Sequence, residues 1–226
     1  MLKYEHVETF GWKAAIRGAR NPMNSWGRTD SEFKMTLDET TSKESGTFCY
    51  KQQFVIGPND YDLCKRLIKA GSDHRKFVRM IHVQFDVEAP LSWWKEADTY
   101  KVATVRNSCS TMHKIHAKEF ELEDFSYQKL QPRALEALKS TIVELNYWRN
   151  KYNETKSKSD WEQMIELLPS SYNQRSTMDM NYETLRNIYH ARKNHKMTEW
   201  HTLCDMIRAL PYAEFITDEW EELTNE

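Results

Sequence analysis

The chain has 226 residues, of which 39% are hydrophobic and 12% are aromatic, and it is long enough for one large domain or two small ones. This composition is sufficient for a buried core and argues against extensive disorder. The formal net charge of −2 provides no overall basic field that would attract nucleic acid, so any anion site must be local. No apolar run approaches the roughly 20 residues that a membrane helix requires.

The N-terminal segment MLKYEHVETF has the features of neither a signal peptide nor a transit peptide. The four cysteines are widely scattered and form no CxxC pair. This spacing argues against a disulfide framework and against a structural zinc site. We therefore expect a cytoplasmic protein that binds no metal, no nucleic acid and no membrane.

The N-terminal part of the chain predicts a short helix, a loop and a strand. VETFGWKAAIRGARNPM is typical of a short helix that ends near Pro22. The polar, hydroxyl-rich residues 27–46 are predicted to form a mobile loop. GTFCYKQQFVIG, which follows, fits a strand.

The middle of the chain gives the clearest local pattern. NDYDLCKRLIKAG fits a helix that opens on an Asn/Asp cap and ends at Gly71. In MIHVQFDV the apolar residues alternate with polar ones, and a period of two indicates a half-buried strand. APLSWWKEADTY then begins at a proline suited to the first turn of a helix.

The C-terminal half is predicted to be helical. The predicted helices lie in LQPRALEALKSTIVELNYWRNKY, KSDWEQMIELL, NYETLRNIYHARKN and TEWHTLCDMIRAL. No repeat or low-complexity linker separates these segments. We therefore expect one α+β domain over residues 1–226, with a central antiparallel or mixed sheet and several helices.

Residues 99–112, TYKVATVRNSCSTM, are unusually rich in polar side chains. Lys101 and Arg106 can hold phosphate, and the hydroxyl groups can donate hydrogen bonds. A solvated loop that leads out of the preceding tryptophan-containing helix is the alternative. We expect Glu96 and Asp98 to be solvated, and we expect Cys109 to be a small buried thiol rather than a nucleophile.

One stripe of the helix near NYETLRNIYHARKN carries Arg192 together with Asn181, Leu185 and Ile188. Burying an unpaired guanidinium is costly, so Arg192 must meet a carboxylate, carbonyl groups or an anionic ligand. A structural ion pair and a phosphate contact are both open. Arg175, upstream, can join Arg192 in gripping a phosphate through bidentate hydrogen bonds.

Several motifs in this half resemble the flavin-dependent thymidylate synthases. LLPSSYNQR followed by MNYETLRNIYHAR resembles the C-terminal signature of that family, with matches at Leu168, Pro169, Arg175, Asn181, Leu185, Asn187 and Arg192. LIKAGSDHRKF resembles its glycine-histidine segment and places His74 on the family's histidine, and IRGARN resembles its first helix. These matches occur in the family's order along most of the chain.

The family's hallmark is Arg-His-Arg-x-x-Ser-x-Asn-Glu-x-Ser-x-Arg-Tyr, and residues 99–112 occupy its place. Aligned without gaps, the first triplet becomes Thr99, Tyr100 and Lys101, and the asparagine-glutamate pair becomes Arg106 and Asn107. A slip of one residue matches Asn107 to the asparagine and places Ser110 near the second serine. The two flavin-binding arginines are therefore absent. A further family arginine is replaced by Glu183, which we expect to repel a diphosphate.

The resemblance implies reductive methylation of dUMP to dTMP by a homotetramer, with FAD as hydride carrier and with NADPH and methylenetetrahydrofolate as co-substrates. It assigns two sets of residues. The nucleotide-binding set is Arg175, Arg192, Arg106, Asn107 and Ser110. The cofactor-binding set is His74, Lys101, Thr104, Asn181 and Asn187. The alternative is a relative without flavin that modifies or sequesters another nucleotide.

Overall fold

The computed structural model describes residues 1–37, 41–43 and 46–220. Its strands are, in chain order, β1 (Lys3–Phe10), β2 (Glu32–Leu37), β3 (Tyr50–Val55), β4 (His82–Pro90), β5 (Thr104–Ser108) and β6 (Asn173–Asn181). The helices discussed below are α1 (Trp12–Arg20), α2 (Pro58–Lys69), α3 (Leu91–Ala97), α4 (Pro132–Thr155), α5 (Lys158–Leu167), α6 (Tyr182–Arg192), α7 (Thr198–Arg208) and α8 (Glu214–Thr217).

The main sheet has the strand order β1-β4-β6-β5, and every neighbouring pair in it is antiparallel. β2 and β3 form a separate antiparallel hairpin. Strand β4 shows the alternation that the sequence predicts, since Val83, Phe85 and Val87 are buried and Gln84 between them is exposed. The predicted α+β class with a central sheet is therefore confirmed.

The two faces of the main sheet differ in character. One face, which we call the covered face, packs against α3, α6 and α7 in the principal apolar core, and from β6 it contributes Met178 and Met180. The opposite, outer face carries Arg175, Thr177 and Asp179 of β6. This polarity follows from the period of two in a strand, which sends successive side chains to opposite sides.

Helices α4 and α5 have an apolar cluster of their own. Its buried members are Ile115, Phe120, Phe125, Leu138, Ile142, Leu145 and Met164. Tyr172, which precedes β6, packs against this cluster and forms a bridge with Phe125. The helical hairpin thus joins the rest of the protein near the start of β6.

Three segments differ from their sequence predictions. Residues 27–46 contain β2 instead of being a loop throughout, while residues 38–40 and 44–45 lie outside the described part. The first predicted helix is shorter, because VETF belongs to β1 and α1 begins only at Trp12. Strand β5 lies within the stretch that we predicted to be a ligand site or loop.

Two glycines at the ends of secondary-structure elements have positive φ angles, which would strain a residue with a Cβ atom. Gly11 joins β1 to α1 with a φ of +89°, and a Cβ there would lie 2.0 Å from the Met80 carbonyl oxygen. Gly71 follows α2 with a φ of +104°, as predicted for the end of that helix. Within the described ranges, no helix combines the length and apolar character needed to cross a membrane.

A buried ion pair joins α1 to α2. Arg20 Nε donates to Asp60 Oδ1 at 2.6 Å, and the two side chains are 6% and 0% exposed. Asp60 Oδ2 also accepts hydrogen bonds from the hydroxyls of Thr29 and Ser31 and from the amides of Asp30 and Ser31. Burial would raise the pKa of Asp60, but the hydrogen bonds outweigh burial and lower this pKa below its ordinary value of 3.8.

We predict that Asp60→Asn lowers the free energy of unfolding by about 3–5 kcal/mol, because it leaves the Arg20 charge buried without a counterion. Asp62→Asn is the matched control on the same helix: its pair with Arg66 is exposed, so its effect should not exceed about 1 kcal/mol. Urea unfolding at pH 7 measures both variants. Equal unfolding midpoints for the Asp60→Asn and Asp62→Asn variants would contradict the prediction.

The same pair predicts a dependence on pH. Because the pKa of Asp60 is lower in the folded state, its contribution to stability is complete above the unfolded-state pKa of about 4. The contribution is lost as the pH falls through the folded-state pKa. Wild type should therefore lose its advantage over the Asp60→Asn variant when urea unfolding is repeated in strongly acidic buffer.

Candidate functional site

Segments that are distant in sequence meet around the N-terminal half of α6. Arg75 Nε and Nη2 each lie 3.0 Å from an oxygen of Glu183, which is in the first turn of α6. Thr184 Oγ1 donates to the Val102 carbonyl at 3.0 Å, and so connects α6 to the turn before β5. The Glu183 charge, which the sequence led us to treat as repulsive, is therefore balanced by Arg75, a residue that sequence analysis did not single out although it adjoins His74.

Three members of the predicted cofactor-binding set are exposed in this region. His74 precedes Arg75, Lys101 precedes Val102, and Asn187 lies one turn after Glu183 on the same side of α6. We call the surface that carries them the α6 surface. Its imidazole, ammonium and amide groups provide both hydrogen-bond donors and acceptors. Thr104, a fourth member, is half-buried opposite Met180.

Two backbone amides in the first turn of α6 are bound by the protein's own groups. Asn181 precedes the helix, and its Oδ1 accepts a hydrogen bond from the Thr184 amide at 2.9 Å. Asn181 Nδ2 donates to the Arg79 carbonyl at 3.2 Å, and the Tyr182 amide donates to the Ile81 carbonyl at 2.9 Å. These donors are therefore not available to a phosphate, which often binds at such a terminus. Asn181 is a buried helix cap and not the helical residue that the sequence stripe predicted.

Arg192 lies in a cluster of polar and aromatic side chains. Its Nη1 donates to Glu96 Oε2 at 3.1 Å and its Nε donates to the Tyr100 hydroxyl at 2.9 Å. The guanidinium lies 4.8 Å from the centre of the Trp200 ring, and Trp200 Nε1 donates to the same Glu96 oxygen at 3.0 Å. His195 Nε2 lies 3.6 Å from that oxygen. Arg192 thus meets a carboxylate, and Glu96, which was predicted to be solvated, is instead partly exposed, at 36%, and accepts hydrogen bonds from Arg192 and Trp200.

Arg106 points to the covered face of the sheet, where its donors are engaged. Nη1 contacts both carboxylate oxygens of Asp98 at 2.7 Å, Nη2 donates to Gln174 Oε1 at 2.6 Å, and Nε donates to Ser176 Oγ at 3.0 Å. Its guanidinium carbon is 3.5 Å from the centre of the Trp94 ring. Arg106 therefore connects β5 to β6 and to the end of α3. Its guanidinium donors already form hydrogen bonds within the protein and are not available to a phosphate.

Arg175 lies on the outer face and keeps 45% of its side chain exposed. Its Nη2 donates to Asp86 Oδ2 at 2.8 Å and to Glu5 Oε2 at 3.1 Å. Hydrogen bonds from Thr177 and Arg175 lower the pKa of Asp86. Asn107, also exposed, pairs with Thr177 across β5 and β6, so Asn107 and Arg175 share the outer face.

The remaining candidates lie beyond the end of β5. Ser110 Oγ accepts hydrogen bonds from the amides of Met112 and His113, at 3.2 and 3.0 Å, and so stabilises a turn. Cys109 is exposed, so the expectation of a buried thiol is wrong.

Among the residues with described positions, no group of three or more His, Cys, Asp or Glu side chains can hold a metal ion.

The predicted nucleotide-binding set is therefore divided between the two sides of the sheet. Arg175 and Asn107 lie on the outer face, whereas Arg106 and Arg192 lie on the covered side among Trp94, Trp200 and their neighbours. Arg175 and Arg192 cannot grip one phosphate within a single chain. Of the predicted cofactor-binding set, Asn181 and Asn187 belong to α6 or its cap, His74 and Lys101 adjoin residues that contact its first turn, and Thr104 lies in β5.

The protein has a mixed α+β fold in which an antiparallel sheet is followed by a capped helix. Comparison with solved structures shows which known proteins have this fold. Thymidylate synthase X (ThyX) from Helicobacter pylori, solved with FAD and dUMP, superposes with a TM-score of 0.62 over 96% of both chains at 17% sequence identity. A second structure of the flavin-dependent enzyme from Helicobacter pylori, complexed with FAD and dUMP, gives a TM-score of 0.63 at 16% identity and covers 95% of this chain and 98% of that one.

The protein thus has a ThyX-like fold. No model of a known protein family matches the sequence, and no curated protein matches it.

We predict that Arg192→Ala lowers the free energy of unfolding by about 1.5–3 kcal/mol, because Glu96 and Tyr100 lose a charged hydrogen-bond donor. Arg192→Lys should recover only part of this loss, since an ammonium cannot reproduce the planar contact with Trp200. Lys196→Ala, an exposed charge nearby, serves as the control. Unfolding curves together with calorimetric titration of dUMP separate the two roles of Arg192. Normal stability with weakened dUMP binding would identify a phosphate contact instead.

Proposed function

We propose that this protein binds a pyrimidine nucleotide such as dUMP at the α6 surface. One observation carries the proposal: the ThyX-like fold extends over 96% of the chain, and within it the exposed His74, Lys101 and Asn187 each lie next to, or one turn from, residues that join other segments to the first turn of α6. An amide can pair with the polar edge of a pyrimidine, and an ammonium group can hold a phosphate. Relatives of the same fold were solved with dUMP, which has this chemistry.

The side chains at the α6 surface do not fit the diphosphate of FAD. A diphosphate needs several cations or free amide donors. Arg75 is already paired with Glu183, and the Tyr182 and Thr184 amides donate to the Ile81 carbonyl and to Asn181. Within the predicted cofactor-binding set, Lys101 is the one lysine or arginine. We therefore propose nucleotide binding without a resident flavin.

The second candidate is the thymidylate synthase reaction, in which dUMP is methylated to dTMP with FAD, NADPH and methylenetetrahydrofolate. The exposure of Arg175 on the outer face favours it. In a homo-oligomer such as a tetramer, this face of one subunit can supply cations to a site on another. The phosphate grip of Arg175 and Arg192 that the sequence predicts would then form between subunits, and any FAD bound there would supply hydride transfer.

We expect the purified protein to be colourless, without flavin absorbance, and to be stabilised by dUMP. A ligand at about 100 times its Kd stabilises a folded protein by about 2.7 kcal/mol. For a chain of this length that corresponds to an increase in Tm of about 5–10 °C. Lys101→Ala should reduce the increase, while Lys139→Ala, on the distant helix α4, should not.

The screen should contain dUMP, dTMP, FAD and NADPH. A yellow protein that is stabilised by FAD would favour the thymidylate synthase reaction over binding without flavin. The absence of a shift with every mononucleotide would contradict both functions.

We also predict that Glu183→Gln creates affinity for diphosphates, because it releases Arg75 from its ion pair. A charged hydrogen bond of about 1.5–3 kcal/mol corresponds to roughly 10–100-fold tighter binding of pyrophosphate or FAD. Glu136→Gln, which removes the same charge from an exposed pair on α4, is the control. Calorimetric titration measures both variants. If Glu183→Gln leaves the affinity unchanged, Arg75 does not face the ligand.

A further inference from the structure

A cavity that is separate from the α6 surface lies between α1 and the β2–β3 hairpin. It has a volume of about 450 Å³, which is within the range of small-molecule sites. Lys13 and Arg17 of α1 line one side, and Trp26, Phe33 and Phe54 line the other. We call this cavity the α1–hairpin pocket.

Of the three cationic side chains that line the pocket, Arg20 is paired with Asp60, whereas Lys13 and Arg17 have no ion-pair partner among the described residues. Lys13 and Arg17 are exposed and four residues apart on α1, where like charges repel each other. In the part of the chain that the structure describes, no carboxylate forms an ion pair with either of them. Glu32, at the pocket edge, lies 3.3 Å from Lys34. An anion bound between Lys13 and Arg17 would relieve the repulsion.

The aromatic side of the pocket is exposed but held in position. Trp26 and Phe33 are 50% and 49% exposed, although large aromatic side chains are normally among the most buried. The Trp26 indole donates to Asn21 Oδ1 at 2.8 Å, and the Phe33 ring packs edge-on against Phe54 with centroids 5.2 Å apart. A planar ring can therefore stack here without first reordering these side chains.

Hydrogen bonds to the buried Asp60 carboxylate connect the side chains at the floor of the pocket. Thr29 and Ser31 line it, and both hydroxyls donate to the buried carboxylate of Asp60, at 2.7 and 2.6 Å. Arg20, which also lines the pocket, pairs with the same carboxylate. A preformed site loses little conformational freedom when it binds a ligand, which favours affinity.

From this arrangement we propose that the α1–hairpin pocket binds a nucleoside monophosphate, with its phosphate on Lys13 and Arg17 and its base against Trp26 and Phe33. Arginine binds phosphate through paired hydrogen bonds, and aromatic side chains stack on any base. Free phosphate offers only the anion and a nucleoside offers only the ring. Only the monophosphate uses both sides of the pocket.

The experiment is calorimetric titration of AMP, dUMP, adenosine and inorganic phosphate into the full-length protein and its variants. A monophosphate should bind at least tenfold more tightly than the nucleoside or the phosphate alone. Arg17→Glu should weaken that binding at least tenfold, and Phe33→Ala should weaken it severalfold. Arg66→Ala, an exposed arginine of α2, should leave it unchanged. Melting curves establish that each variant is folded.

Variants of the α6 surface separate this proposal from the previous one. Lys101→Ala should leave binding at the α1–hairpin pocket intact. If Lys101→Ala abolishes all monophosphate binding while folded Arg17→Glu and Phe33→Ala bind normally, the pocket proposal is overturned and binding at the α6 surface stands. Equal affinity for monophosphate and nucleoside would also overturn it, because the two cations would then contribute nothing.

Discussion

The carboxylate of Asp60 has no contact with solvent, so its charge has to be balanced inside the protein. Arg20 supplies the counter-charge from α1, and the turn at residues 29–31 supplies hydroxyl and amide donors. Asp30 of that turn also accepts hydrogen bonds from the Asn59 and Asp60 amides at the start of α2. One charge therefore fixes α1, the entry to the β2–β3 hairpin and α2 relative to each other. The position of the hairpin against α1, and hence the shape of the cavity between them, depends on it.

The same physical rule explains why several arginines are structural. Arg75, Arg106 and Arg192 each meet a carboxylate from another element of the fold, and Arg106 and Arg192 also lie on tryptophan rings. A guanidinium that is more than half buried needs such partners because desolvation is costly. The cations left in contact with solvent are then mainly flexible lysines and arginines at the protein surface. The binding that we propose uses those residues and neutral donors, which differs from the arginine-rich pattern that the resemblance implies.

The parts of the fold that follow a local rule could be predicted, and those that depend on distant partners could not. Strand β4 was predictable because its apolar residues face the core at every second position. Strand β5 reverses this rule: Val105 is exposed while Arg106 points inward, because Trp94 and Asp98 receive the guanidinium. In β2 the alternation of Phe33, Met35 and Leu37 with polar residues is present, but the hydroxyl-rich flanks concealed it. At the candidate site, motif spacing predicts His74 and Asn187 as binding residues, and these assignments stay predictions. The pairing of Arg75 with Glu183 could not, since it joins residues that lie 108 positions apart.

The separate apolar cluster under α4 and α5 has a consequence for how the molecule opens. Within the described residues its buried side chains group with one another and apart from the principal core, and hydrogen bonds such as those from Leu91 N to the Tyr172 carbonyl and from Ser126 N to the Ser171 carbonyl connect the two parts. A unit of this kind can unfold locally while the main sheet stays intact. Amide hydrogen exchange in α4 and α5 would then proceed as one cooperative foldon, with a free energy of opening below that of β4 and β6. The protein would show two levels of protection within a single chain.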